Sequence, residues 1–255
     1  MGTKSSGSWI VPDWPSKPSN VRALSTTRFG GYSAAPFDDG QGGLGWNLGD
    51  HVGDAPAAVQ ANRDLLQSML PTPVTFLSQI HGNMAVEATQ LFVSCEADAV
   101  YSTKALEVCA VMTADCLPVL FASADGNYVG AAHAGWRGLA DGVLTNTVEI
   151  MGKEGARGIT AWMGPAIGPD HFEVGEELIA VFEKSLGSVQ ECFKPTAVKE
   201  KYFANLYALA RKNLAQCGVE QVYGGNYCTY NDPARFYSYR RDKRTGRMAT
   251  LIWRE

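Results

Sequence analysis

The strongest constraint on this chain is a set of short apolar runs that stop abruptly at glycine or proline. Val74–Ile80 ends at His81-Gly82, Tyr128–His133 ends at Ala134-Gly135, and Ile159–Met163 ends at Gly164-Pro165. Val108–Thr113 and Val119–Ala122 flank a break at Asp115-Cys116-Leu117-Pro118. Runs of this length, rich in β-branched and small residues, read as buried strands. Stretches with helical spacing interrupt them. Asp54 reads as a helix N-cap with Pro56 in the first turn, and the helix then runs through Val59, Leu66 and Met69 to Pro71. Leu139, Val143, Leu144, Val148 and Met151 recur at the same period, and Gly175–Leu186 and Lys199–Cys217 read as two further helices. Gln221–Tyr223, Arg235–Arg240 and Met248–Trp253 read as closing strands. No clean βαβ period emerges. The expectation is an α+β fold of mixed sheets layered with flanking helices, an α/β/β/α-like sandwich forming a single domain over residues 1–255. Residues 1–20 read as irregular, and residues 30–50 as a glycine-rich loop of the kind that carries function.

Composition excludes several classes. With 45% hydrophobic residues among 255, the chain can bury a large core. A net charge of −4 argues against a nucleic-acid-binding face. No apolar stretch is long enough to span a membrane, and MGTKSSGSWIVPDWP lacks the apolar core of a secretion signal. For a chain of this length without such a signal, a cytoplasmic protein with free thiols is expected, and with no C-x-x-C pair among the six cysteines zinc ribbons and thioredoxin-type redox sites lack support. The glycine loops of nucleotide triphosphatases and dinucleotide enzymes are absent, as is the zinc deaminase signature.

Three segments place a metal-capable side chain at a strand end beside a sharp turn. They are Gln79-Ile80-His81-Gly82, Ala114-Asp115-Cys116-Leu117-Pro118 and His133-Ala134-Gly135-Trp136-Arg137-Gly138. Together His81, Cys116 and His133 form an N/S/N donor set. Zinc accepts both donor types, and three protein ligands leave a fourth position open, which is the catalytic pattern. The same atoms support a second reading, with Cys116 as nucleophile and His133 as base. Spacing alone separates neither reading from a buried cysteine beside two hydrogen-bonded histidines. His51 could face the cleft, and His171 reads as a surface residue. Arg28 and Arg137, each beside glycines, are candidate phosphate sites, and Arg240 follows an aromatic run. The later basic residues Lys243, Arg244 and Arg247 read as a solvated turn.

At these residues the chain resembles the bacterial YfiH-like family, which carries the label multicopper polyphenol oxidoreductase, laccase domain. The segments that carry the resemblance run from Ser25-Thr26-Thr27-Arg28-Phe29-Gly30-Gly31 through Asn47-Leu48-Gly49-Asp50-His51, Asn62-Arg63, the three segments above, Asp98-Ala99 and Gly164-Pro165-Ala166-Ile167-Gly168. Cys228-Thr229-Tyr230 and Ser238-Tyr239-Arg240-Arg241-Asp242 complete them. The resemblance implies a zinc site at His81, Cys116 and His133. It further implies a zinc-dependent purine nucleoside phosphorylase acting on adenosine, inosine and methylthioadenosine, with adenosine deaminase activity. It also brings two alternatives: a Cys–His hydrolase that edits peptidoglycan precursors, and a copper-dependent polyphenol oxidase. Four histidines cannot build a multi-copper array, although copper can enter the same three-ligand site. On this reading Asp115 shuttles protons, Arg28, Arg137 and Arg240 hold phosphate or ribose, and Asn47 and Gln79 read base or sugar edges. Trp136 or Tyr227 offers a stacking face.

Overall fold

The computed structural model describes residues 9–90 and 95–255. The first eight residues of the expected irregular N-terminus lie outside them. Fourteen strands and six helices are present among the described residues. The strands, in chain order, are β1 (Trp9–Ile10), β2 (Val21–Thr26), β3 (Phe29–Ser33), β4 (Ala85–Glu87), β5 (Ala99–Ser102), β6 (Cys109–Thr113), β7 (Leu117–Ala122), β8 (Val129–Ala134), β9 (Thr160–Met163), β10 (Glu173–Gly175), β11 (Phe193–Pro195), β12 (Lys201–Ala204), β13 (Val222–Gly224) and β14 (Met248–Arg254). The helices are α1 (Pro56–Gln67), α2 (Trp136–Ala140), α3 (Val143–Glu154), α4 (Glu177–Leu186), α5 (Leu206–Gln216) and α6 (Tyr239–Asp242).

Two sheets make the centre of the molecule. One has the order β1-β2-β14-β6 and the other β13-β9-β7-β8-β5-β4, while β10-β12-β11 forms a small third sheet. Parallel pairs (β4 with β5, β13 with β9) sit beside antiparallel ones, so the six-stranded sheet is mixed. Side-chain alternation assigns the layers. Cys109, Val111, Leu120, Ala122, Val129, Ala131 and Ile252 meet between the sheets. Ala110, Met112, Ala249 and Leu251 turn the other way and pack with Leu66 of α1. Val119, Phe121 and Ala132 face Leu144, Met151, Leu209 and Leu214 of α3 and α5. This is the expected α/β/β/α sandwich.

Several local expectations needed correction. Asp54 does not cap α1; Ala55 holds the N-cap position with Pro56 next, and Asp54 is drawn away by Ser33 Oγ at 2.6 Å and Asn47 Nδ2 at 2.8 Å. Val74–Ile80 is extended but pairs only at Ser78, through an isolated bridge to Glu96. The reason is that the Gln79 side chain occupies the edge of β6. Its amide donates to Met112 O at 2.8 Å and accepts from Met112 N at 2.7 Å, replacing a backbone ladder pair. Lys199–Cys217 divides into β12 and α5, because Asn205 caps the helix by accepting from Ala208 N at 3.0 Å. Gly175 belongs to β10 rather than to α4. Arg235–Arg240 is not a strand: Ser238 accepts from Arg241 N at 3.2 Å and starts α6. The break before β7 is shorter than expected, since Leu117 and Pro118 already pair with Ala134 and His133 of β8.

Candidate metal centre

The register of β7 on β8 delivers two of the three candidate ligands to one point. His133 is the penultimate residue of β8, and Cys116 immediately precedes β7. His81 arrives on the irregular segment that follows Gln79. The metal-capable atoms of His81, Cys116 and His133 all lie within 4.8 Å of one another. Cys116 Sγ stands 3.8 Å from His81 Nε2, and the two imidazole rings meet edge to face at 4.8 Å. Donors around a tetrahedral zinc, at bond lengths of about 2.0–2.3 Å, stand about 3.3–3.8 Å apart. The 3.8 Å between Cys116 Sγ and His81 Nε2 falls at the upper end of that range, and donors as far as 4.8 Å apart would close by about 1 Å around such an ion. Among the described residues this is the single group of three or more such donors, so an array of several copper ions does not fit.

Backbone and packing hold the set in place. Asp98, fully buried, accepts from His133 Nδ1 at 2.7 Å. That bond leaves His133 Nε2 facing the site, as in other metal centres where a carboxylate fixes the ligand tautomer. The same carboxylate accepts from the backbone N–H groups of Ile80 (3.2 Å), His81 (3.0 Å) and Gly82 (2.7 Å). Asp98 thus locks the turn that carries one histidine and the ring of the other. Gly135 and Gly138 are required by close approach. A Cβ on Gly135 would meet His81 Cδ2 at 2.9 Å, and one on Gly138 would meet Gly82 O at 2.5 Å. His81 (φ 61°) and Asp115 (φ 94°) both occupy the left-handed region, a costly conformation for non-glycine residues that marks functional turns.

The electrostatics couple the donors. Burial alone would raise the Cys116 thiol, but the His133 charge and hydrogen bonds from His133 and His81 lower it to about 6. For His133, burial favours the neutral ring, yet the Cys116 charge and the Asp98 bond raise it to about 9. Burial also raises Asp98, and the bond and charge of His133 more than offset it, so its carboxyl is held below the usual range.

The three donors open into a cleft of about 1060 Å³ between the two sheets' ends and α1. The cleft places the sequence candidates in two groups. Arg137, Arg240, Trp136, Gln79, Asp115 and His51 line it. Arg137 is exposed over the Trp136 ring at 4.8 Å, and Arg240 lies over Phe172 at 5.3 Å while donating to Glu173 O at 2.9 Å.

Arg28, Asn47 and Tyr227 are elsewhere. Arg28 is buried, donating to Asp38 O and Pro233 O and stacking on Tyr237. Asn47 is fully buried, with its amide spent on Gly49, Asp54 and Arg247. Tyr227 packs edge-on against Phe236. Arg28 and Asn47, expected as substrate contacts, lie outside the residues that line the cleft and bond to the protein's own loops. Two residues within the cleft wall are similarly engaged. Gln79 spends its amide on Met112. Asp115 lines the cleft and accepts from Thr229 Oγ1 and Arg240 N, both at 2.6 Å, which ties the Cys116 loop to two other segments. His171 is half-buried rather than on the surface, stacked on Tyr230 with Nδ1 3.6 Å from Cys228 Sγ.

Two residues at the site were given no role in the sequence. Asp98 had a visible signal, since an acidic residue before the apolar run of β5 must be paired if buried. Arg247 had none: its neighbours read as a solvated turn, yet its half-buried side chain lines the cleft.

Residues 22–255 match the family model described as multi-copper polyphenol oxidoreductase laccase. The chain belongs to that family. Within it, the chain is 47% identical over 249 residues to a Haemophilus influenzae protein named purine nucleoside phosphorylase, covering 96% of this chain and 99% of the relative. It is 48% identical over 247 residues to Escherichia coli purine nucleoside phosphorylase YfiH, covering 96% and 98%. A solved Neisseria meningitidis structure superposes with TM-score 0.90 at 45% identity, covering 97% of this chain and 99% of that one. YlmD from Geobacillus stearothermophilus gives 0.86 at 29% identity, covering 99% and 98%. Among the described residues of this laccase-family chain, no helix is long and apolar enough to cross a membrane.

Proposed function

We propose that this protein is a purine nucleoside phosphorylase whose centre is a zinc ion held by His81, Cys116 and His133. One observation carries the reading: a three-donor N/S/N set with a carboxylate-fixed histidine opens into a cleft walled by Arg137 and Arg240. The names of the relatives support it.

Phosphorolysis joins a phosphate oxygen to ribose C1′ as the bond from C1′ to the purine nitrogen breaks. The charge that develops is oxocarbenium-like on the sugar and negative on the purine. Arg137 presents a guanidinium that is free to orient the phosphate. Arg240 is more constrained, and contributes its remaining donors beside Phe172. Trp136 and Phe172 give apolar faces for the base or ribose. Asp98 keeps His133 oriented throughout. When bound, zinc supplies Lewis-acid stabilisation of negative charge and activates water, the chemistry that adenosine deamination requires.

The test is product analysis of zinc-loaded protein given adenosine and inosine, with and without phosphate. Phosphate-dependent release of free base with ribose 1-phosphate supports the reading. Base release that ignores phosphate, or no turnover of either nucleoside, overturns it. Inosine formed from adenosine without phosphate would establish the deaminase activity.

A second reading is favoured by the line Cys116–His133–Asp98, in which a low-pKa thiol meets an imidazole fixed by a carboxylate. It makes the protein a Cys–His hydrolase, with peptidoglycan precursors as the substrate class. Activity that survives metal chelation, together with covalent trapping of Cys116 by an electrophilic substrate, would select it.

A further inference from the structure

Arg247 is a half-buried guanidinium on the wall of the cleft, and it makes no ion pair among the described residues. A charge in that position is costly unless something compensates it. The protein holds the side chain firmly. Arg247 N donates to Asn47 Oδ1 at 2.8 Å, and its carbonyl accepts from Leu48 N at 3.1 Å. Its stem crosses Gly49, where a Cβ would meet Arg247 Cγ at 2.8 Å. Nη1 donates to Thr245 O and Gly246 O, both at 3.1 Å. Among the described residues, Nε and Nη2 have no protein acceptor. Asn47 in turn is fixed by Asp54, so a buried network prepares the position of this one arginine. The Arg247 side chain lines the same cleft as His81, Cys116 and His133; burial lowers its pKa, while the charges of Cys116, Asp115 and Tyr239 raise it. A guanidinium stays protonated even so.

We propose that Arg247 is the inner oxyanion anchor of the cleft, using Nε and Nη2 to hold phosphate beside the His81–Cys116–His133 centre. The assignment deepens the phosphorylase reading and rests on it for the identity of the anion. Paired N–H donors in a planar fork match two oxygens of a tetrahedral oxyanion. Pre-fixing the fork removes most of the ordering cost that a flexible surface arginine, such as Arg137, would incur on binding. Exposed Arg137 and half-buried Arg247 then serve the same cleft.

The experiment is calorimetric titration of the zinc-loaded protein with inorganic phosphate, comparing wild type, Arg247→Gln and Arg247→Lys. Steady-state kinetics on inosine accompany it. The expected result is a loss of phosphate affinity of about tenfold or more in Arg247→Gln, because a charge-assisted bond contributes about 1.5–3 kcal/mol. Arg247→Lys should recover part of it as a point charge, with zinc content and melting temperature close to wild type in both. The phosphate KM should rise by a similar factor while the inosine KM moves little. Unchanged phosphate affinity in Arg247→Gln, or no phosphate binding by wild type, overturns the proposal. If Arg247→Gln unfolds or loses zinc, the Arg247→Lys protein decides: unchanged phosphate affinity overturns the anchor, and a partial loss at intact zinc content supports it. Phosphate binding that depends on Arg247 without phosphorolysis would sink the phosphorylase reading and leave the anion site standing. Phosphorolysis with an unchanged phosphate KM in Arg247→Gln would do the reverse.

Discussion

Asp98 and His133 share a 2.7 Å hydrogen bond while Asp98 also binds the backbone of the turn that carries His81. One buried carboxylate therefore positions two of the three candidate metal donors, which lie on separate segments of the chain. In Asp98→Asn the amide cannot accept all four donors at once. Zinc affinity should fall about 10–100-fold, the usual effect of losing a partner behind a ligating histidine. Competition against a chromophoric chelator measures it. Wild-type affinity in a folded Asp98→Asn protein would remove the positioning role.

The acidity of Cys116 gives a pH prediction for the metal-free protein. Its pKa is lowered to about 6, so thiolate is present above that pH and is lost as pH falls through it. Iodoacetamide labelling at Cys116, read by peptide mass spectrometry, should rise with a midpoint near that value. In His133→Ala the main stabilising charge is gone while burial remains, so the midpoint should move up by more than a unit. A midpoint in the ordinary thiol range in wild type would show that the pair does not form.

The glycines around α2 offer a purely steric test. Gly138 admits Gly82 O to within 2.5 Å of where a Cβ would sit. Gly138→Ala must push the His81-Gly82 turn outward, since both partners are backbone. Overpacking of this kind costs about 1–3 kcal/mol. The melting temperature should drop and zinc affinity should fall with it. Loss of stability with normal zinc affinity would mean that the turn moves without carrying His81 away.

Periodicity and breakers reveal the layers because β7, β8 and β14 are buried on both faces and their residue choice is dictated by packing. The three donors were legible for a related reason: each stands within two residues of a glycine or proline that breaks an apolar run. What could not be read was the use of polar side chains as backbone substitutes. Gln79 looks like a residue available to a substrate, yet it completes the edge of β6. Arg28 and Asn47 carry the same ambiguity, since a guanidinium or amide beside glycines suits a ligand and a loop carbonyl equally well. Arg247 shows the converse error, because only the tertiary course of Asn47–Gly49 turns a charged turn residue into a cleft wall.

Asp115 provides the sharpest separation between a chemical and an architectural role. Its left-handed backbone and its two 2.6 Å bonds tie the Cys116 loop to Thr229 and to the start of α6. A carboxylate bonded in this way ties the Cys116 loop to the start of α6. Asp115→Asn should still accept one of the two donors and lose the other, at a cost of about 1–3 kcal/mol. The mutant should melt earlier and turn over more slowly, with the acidic limb of its pH–rate profile where wild type has it. A folded Asp115→Asn protein whose acidic limb disappears would instead make this carboxylate the proton carrier. The profile decides because a brace alters geometry at every pH, whereas a general acid or base alters it only across its own titration.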